Sequence, residues 1–363
     1  MARRRATEPL NTRLVAFALL AGALLLLVGG LALSDPTMDD FPEPRPDPMM
    51  IQAAAFADDR LWLLASDGAL TSITEKARDR TSEFSGERVL ALCVQSKRPL
   101  ILTLGADDRW TLRRREDGGW TALASVGSRG DDFVGMSCDT REVSLLTNRH
   151  LITLGDTPPR SVNLSDHLNV GVTRSLLSAS GQLFVGTNAG EWGGGLQRID
   201  RRTGKVSQLQ RNDTGDPCDA LLDRQCDPVN GVAPAPWDSN CTVAAVGMVH
   251  MFTRGRLVEI CGDRIEPLYA KSLPSLADRP GRKPFNDVAF FGANRAGDSL
   301  MVVGTDGLYR FRGRKPVDFR RLPRFQTIGG VRVSFDLPDV VLVMTDINQS
   351  VSLSGSVPML VPR

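Results

Sequence analysis

The chain has 363 residues, 42% hydrophobic and 24% charged, which excludes a disordered or collagen-like polymer and leaves room for two ordinary domains or one large β-fold. Its formal charge is +2, but residues 1–34 contribute Arg3, Arg4, Arg5 and Arg13 against Glu8, so the remainder carries 40 basic and 41 acidic residues. A body so close to neutral excludes a general nucleic-acid binder, which needs surplus Lys and Arg to neutralise phosphates.

Residues 1–13 form a basic tail, followed by an uncharged run from Leu14 to Leu33. Twenty residues at about 1.5 Å each reach roughly 30 Å, the thickness of a bilayer core, so 14–33 is predicted as one N-terminal hydrophobic helix. Positive charge ahead of the run orients the tail inward and the body outward. A retained transmembrane anchor and a cleaved signal segment both stay open. Ala32-Leu33-Ser34 is a small-x-small site, whereas the run exceeds the usual apolar core of about 7–15 residues. Residues 34–49 are rich in Pro and acidic residues, cannot bury a core, and read as a linker. The expected location is the bacterial cell envelope: the inner membrane with the domain in the periplasm, or export after cleavage.

The body, residues 50–363, shows short apolar or alternating runs punctuated by Gly, Asp, Asn and Pro, the pattern of many short strands. Residues 170–211 form the clearest unit, four strands in a meander. Units at 88–126, 132–165, 286–322 and 328–363 follow the same order, with weaker copies at 50–86 and 241–270. Second strands centre on Leu63, Leu102, Leu145, Val185, His250, Val303 and Val343, a mean spacing of about 47 residues. A lone four-stranded sheet leaves two apolar faces in water, and sheets stacked around an axis bury both. The expected fold is therefore all-β, a seven-bladed β-propeller, with six or eight blades possible. A β-sandwich does not predict a repeat of this length.

Gln182-Leu-Phe-Val-Gly-Thr-Asn188, Gly195-Leu-Gln-Arg-Ile-Asp200 and Thr203-Gly204-Lys205 resemble the blade repeat of two-component-regulator-type propellers, which are WD40-like or YVTN-like. Ser299-Leu-Met-Val-Val-Gly-Thr-Asp-Gly-Leu-Tyr-Arg-Phe311 is similar to a second copy. The resemblance implies the fold and an extracytoplasmic setting. In that family the propeller feeds a kinase, for which this chain has no room.

Two intervals are long, and the first contains an insertion at 212–240 rich in Asp, Pro and Cys. Six cysteines in an exported chain suggest disulfides. Cys218 with Cys226 is the local pairing, which would leave Cys241 with Cys261. Cys93 and Cys138 lie on inner strands of neighbouring units and are either bridged or buried thiols.

Chemistry is sparse. His150 and His250 fall in predicted strands and His167 in a loop, and no G-x-S-x-G, H-E-x-x-H or P-loop occurs. Gly190-Glu-Trp-Gly-Gly-Gly195 reads as a flexible hairpin turn, because it lies between strands and opens no helix. Asp213, Asp216, Asp219 and Asp223 lack the spacing of a calcium loop. No metal or cofactor is expected. Candidate ligand-binding residues are Glu191 and Trp192 in the long turn, and Trp237, Asp238 and Asn240 in the insertion, since Trp offers a flat face to a sugar or a partner protein. The basic run Arg310, Arg312, Arg314, Lys315, Arg320, Arg321 and Arg324 reads as a solvated sheet edge or a contact for anionic groups. The expected function is a membrane-tethered scaffold for an envelope protein or glycan. The alternative, an exported hydrolase or lyase acting on a carbohydrate or lactone, requires carboxylates converging at the axis.

Overall fold

The computed structural model describes residues 50–363 apart from 75, 77–79, 141, 156–157, 170–172, 251, 274–285, 324–329 and 349–353. The predicted helix at 14–33 and the linker at 34–49 lie outside the described residues. Among the described residues no helix is long and apolar enough to cross a membrane.

Antiparallel meanders of the expected kind follow one another. The first is β1 (Ile51–Ala57), β2 (Arg60–Ala65), β3 (Leu70–Thr74) and β4 (Thr81–Ser82). The second is β5 (Arg88–Gln95), β6 (Arg98–Leu104), β7 (Arg109–Glu116) and β8 (Gly119–Gly127). The third is β9 (Phe133–Cys138), β10 (Val143–Thr147), β11 (His150–Leu154) and β12 (Arg160–Asn163). The fourth is β13 (Thr173–Ala179), β14 (Gln182–Asn188), β15 (Gly194–Asp200) and β16 (Val206–Leu209). The fifth is β17 (Val229–Pro234), β18 (Cys241–Val249), β19 (Thr253–Cys261) and β20 (Arg264–Tyr269). A small pair, β21 (Ser272–Leu273) with β22 (Asn286–Asp287), leads to the sixth: β23 (Phe290–Ala296), β24 (Ser299–Gly304), β25 (Gly307–Arg312) and β26 (Lys315–Arg321). The last sheet is β27 (Val331–Ser334), β28 (Val340–Asn348) and β29 (Ser354–Pro362).

The first strands touch in the cycle β1–β5–β9–β13–β17–β23–β27–β1, so the sheets form a ring. Burial follows from that arrangement. A second strand is covered on both faces, and VSLLT and SLMVVG are buried throughout, a continuous apolar run rather than an alternating one. An outermost strand is wet, as in the fully exposed β26. One apolar cluster fills each junction between neighbouring sheets, and the seventh joins Ile51, Ala54 and Leu63 to Leu342 and Met344. Ser334 Oγ donates to the Ala54 carbonyl at 2.7 Å and Arg332 Nε to that of Ile51 at 2.9 Å, which ties the last sheet to the first. Near the axis Gly231 allows a close approach of strands: a Cβ there would lie 2.7 Å from the Ala293 nitrogen and 2.8 Å from the Gly292 Cα.

The structure corrects several boundaries. Val229–Pro234, inside the expected 212–240 insertion, is the inner strand of the fifth sheet, so the insertion proper runs from 210 to 228. Two prolines and a glycine within VNGVAPAP hide the strand from a period-two reading. The fifth second strand is β18, and His250 lies in the turn after it. At the C-terminus 349–353 lie outside the described residues, and the described strand there is β29. Ser354–Pro362 pairs with β28 from Asn348↔Ser354 to Val340↔Pro362. Pro358 does not break it because an edge strand needs no outward amide donor.

Candidate functional site

In a meander, successive turns emerge at alternate ends of the sheet. The β14–β15 turn carrying Glu191 and Trp192 therefore lies on one face of the ring, with the connections that enter each inner strand. The β17–β18 turn carrying Trp237, Asp238 and Asn240 lies on the other. The five candidate residues form two separate loci, which a linear sequence cannot distinguish.

The first locus is built on a short 3₁₀ turn, Gly190–Trp192. Asn188 Oδ1 accepts from the Gly190 amide at 2.7 Å and Ala189 N–H donates to the Gly193 carbonyl at 2.9 Å. Gly193, Gly194 and Gly195 have φ of 80°, 139° and 80°, a region that favours glycine. They close the hairpin between β14 and β15 expected from sequence, and they are packed rather than open. The insertion lies directly on them, so a Cβ at Gly195 would meet the Arg224 Cα at 2.9 Å. The Gly194 and Gly195 amides donate to the Arg224 and Asp227 carbonyls, both at 2.8 Å. From this seat Trp192 projects with 79% of its surface exposed. Glu191 pairs with His250 across to the fifth sheet, Oε2 to Nδ1 at 3.2 Å. Exposed Arg224 and Gln225 lie with their backbone against Gly193, the residue after Trp192.

The insertion is itself stapled. Cys218 is bonded to Cys226, and Arg211 bridges to Leu222. Arg256 of β19 donates to the carbonyls of Leu221 (2.6 Å) and Ala220 (2.7 Å) and to Asp227 Oδ2 (2.6 Å). Burial pushes the Asp227 carboxyl above its ordinary range, against the opposing pull of Arg256. Asp213, Asp216 and Asp223 do not converge: Asp213 pairs with Arg211, Asp216 accepts from the Cys218 amide and Asp223 from that of Gln225.

The second locus is tied into its own blade. Trp237 packs on the cluster between the fifth and sixth sheets, and its indole N–H donates to Glu259, a buried carboxylate that also meets Arg314. Asp238 accepts from the Asn240 amide at 2.9 Å and so shapes the turn. Asp238, Cys241 and Cys261 bring ligand-type atoms within 4.8 Å, but Cys241 and Cys261 are cross-strand partners joined as a disulfide and offer no thiolate. The third bridge joins Cys93 to Cys138 between inner strands of neighbouring sheets, with Cα atoms 6.3 Å apart.

His150 is held in place rather than presented. Its Nδ1 meets Asp131, which also accepts from Thr147 Oγ1 at 2.8 Å. Burial raises the Asp131 carboxyl, but the His150 and Thr147 hydrogen bonds and nearby positive charge outweigh it, so it lies below the ordinary range. His167 is exposed in a loop.

Along the axis runs a cavity of about 590 Å³ bordered by all seven inner strands. Asn230 is spent within the wall, donating to the Gly247 and Phe290 carbonyls at 2.7 and 2.8 Å. Among the described residues bordering the cavity Asp336 is the one carboxylic acid.

No protein-family model and no curated protein matches the chain. Solved structures share its architecture. They include a chain of a mitotic checkpoint complex (11% identity, TM-score 0.52, 90% of this chain and 98% of that one) and YCF48 from Cyanidioschyzon merolae (9%, 0.50, 87% and 96%). The extracellular domain of the putative one component system BT4673 from B. thetaiotaomicron matches at 13% identity and TM-score 0.48, over 85% of this chain. The protein is a seven-bladed β-propeller. At such identities the likeness shows the fold alone, and the chain spans 38% of the BT4673 chain.

Within the propeller, sequence reasoning missed His250 as the partner of Glu191, and Arg256 and Asp227 as the support beneath the insertion. Arg256 sits in a strand far from the insertion in sequence, and nothing local distinguishes it from the other arginines. Its signal is only that a buried guanidinium needs acceptors.

Proposed function

We propose that this propeller is an extracytoplasmic binding scaffold, tethered by the 14–33 run, and that it meets an envelope glycan or protein through the insertion face at Trp192. The carrying observation is that the indole is 79% exposed on a turn fixed by hydrogen bonds to a disulfide-closed insertion. Water penalises an exposed indole, and a rigid seat lowers the entropy lost on binding, which is the character of an interface anchor. Glu191, His250, Arg224 and Gln225 nearby supply hydrogen-bonding groups for a sugar rim or a polar peptide. The hydrolase reading draws no support from the axis, where the described wall offers one carboxylate and a glycosidic pair needs two.

The test compares the full chain with Trp192→Ala in pull-downs from envelope extracts and on a glycan array. The wild type should retain one specific protein or glycan, and the variant should lose it while keeping its melting temperature. Equal retention by both chains would remove Trp192 from the interface.

A further inference from the structure

The outer edge of the sixth blade gathers basic side chains on one exposed strand. All seven residues of β26, Lys315–Arg321, are exposed. Elsewhere several arginines are matched, as Arg113 with Glu87 at 2.8 Å, Arg198 with Asp263 at 2.6 Å and Arg201 with Glu142 at 2.7 Å. On this edge Arg312 pairs with Asp298 and Arg314 with Glu266. Arg310, Lys315, Arg320 and Arg321 have no ion-pair partner among the described residues. The one acid in the strand, Asp318, accepts from the Phe319 amide at 2.8 Å. Because the body as a whole is near neutral, this excess is local.

The same strand exposes Val317 (56%) and Phe319 (40%), two of the five large hydrophobic residues exposed among those described. Phe319 is fixed rather than loose, its ring 4.8 Å from that of Tyr309 and 4.5 Å from Lys271 Nζ. A bulge at Val317 and the missing amide of Pro316 bar another strand from adding here, so a partner must be met by side chains. Edge protection accounts for Lys315 and Pro316. It does not account for two apolar side chains left in water among unpaired cations.

We propose that this edge, Lys315–Arg321 with Arg310, docks on an anionic lipid bilayer. Lipid headgroups supply phosphates for the cations, and the acyl boundary beneath takes up Val317 and Phe319. A soluble polyanion complements the charge but gives the apolar side chains nothing to enter. The inference is independent of the Trp192 surface, which lies on a different blade.

The test is hydrogen–deuterium exchange over 307–323 in the full chain reconstituted into phosphatidylcholine vesicles, with and without phosphatidylglycerol. Both bilayers offer the same acyl core to the 14–33 run and differ only in headgroup charge. Exchange should slow at least about tenfold in the anionic vesicles, since each basic residue near the surface adds to the attraction. The protection should fade with added salt and vanish in K315E/R320E/R321E, and V317S should weaken it. These positions are exposed, so an unchanged melting temperature checks the fold. Equal exchange in the two vesicle types, or protection that survives charge reversal, would overturn the proposal. So would heparin protecting the strand as well as the anionic vesicles do, with V317S unaffected.

Discussion

Arg256 holds Asp227 at 2.6 Å, and with the same guanidinium it caps the carbonyls of Ala220 and Leu221. One side chain of the fifth blade thus fastens the insertion that supports Trp192 on the fourth. Arg256→Met should leave two carbonyls without their donor and the buried Asp227 carboxylate with only the Asp223 amide, a loss of about 3–5 kcal/mol. Limited proteolysis should then cut within 211–228, and binding through Trp192 should weaken without any change at the ligand-facing side chain. An uncut insertion would show that the disulfide alone suffices.

The two tryptophans should separate cleanly. Trp237→Ala empties a site in the cluster between the fifth and sixth blades and deprives buried Glu259 of a donor, for a cost of about 3–5 kcal/mol in urea unfolding. Trp192→Ala removes a side chain that is 79% exposed and should change stability by about 0.5 kcal/mol or less.

The disulfides should rank by the chain they close. Cys93–Cys138 spans 45 residues, Cys241–Cys261 spans 20 and Cys218–Cys226 spans 8. Loop-closure entropy then suggests losses of about 4, 3.3 and 2.5 kcal/mol when each pair is replaced by serine. Urea midpoints of the three double variants test the order. The shortest loop should show its effect in protease sensitivity of the insertion more than in global stability.

Acid should act through Asp131. Its carboxyl lies below the ordinary range in the folded state, so its contribution is complete above the unfolded value near pH 3.9. It is lost as pH falls through the folded value. Asp131→Asn should lower stability at pH 7, where His150 and Thr147 lose a charged acceptor, by about 1–3 kcal/mol. Its stability should then fall less steeply than the wild type's below about pH 4. Parallel curves for the two proteins would assign the acid response elsewhere.

Much of the architecture was legible from residues alone. Second strands covered on both sides must be continuously apolar, and LILTL, VSLLT, LFVG and LMVVG announce themselves with nearly even spacing. Turn residues between them mark the meander, and a repeat of about 47 residues leaves few alternatives to a ring. Val229–Pro234 was obscured because Gly231 serves close packing at the axis, a requirement set by the neighbouring inner strand rather than by local propensity, and because prolines end the run.

Strand order and approximate blade number were thus properties of the chain itself, since burial on two faces leaves a periodic trace. Which face each turn occupies, and which charges find partners, were decided only when the ring closed. Glu191 meets His250 and Arg256 meets Asp227 between adjacent blades, whereas Lys315, Arg320 and Arg321 form no ion pair among the described residues. Such pairings depend on distances between residues remote in sequence, and only the packing of one sheet against the next sets them.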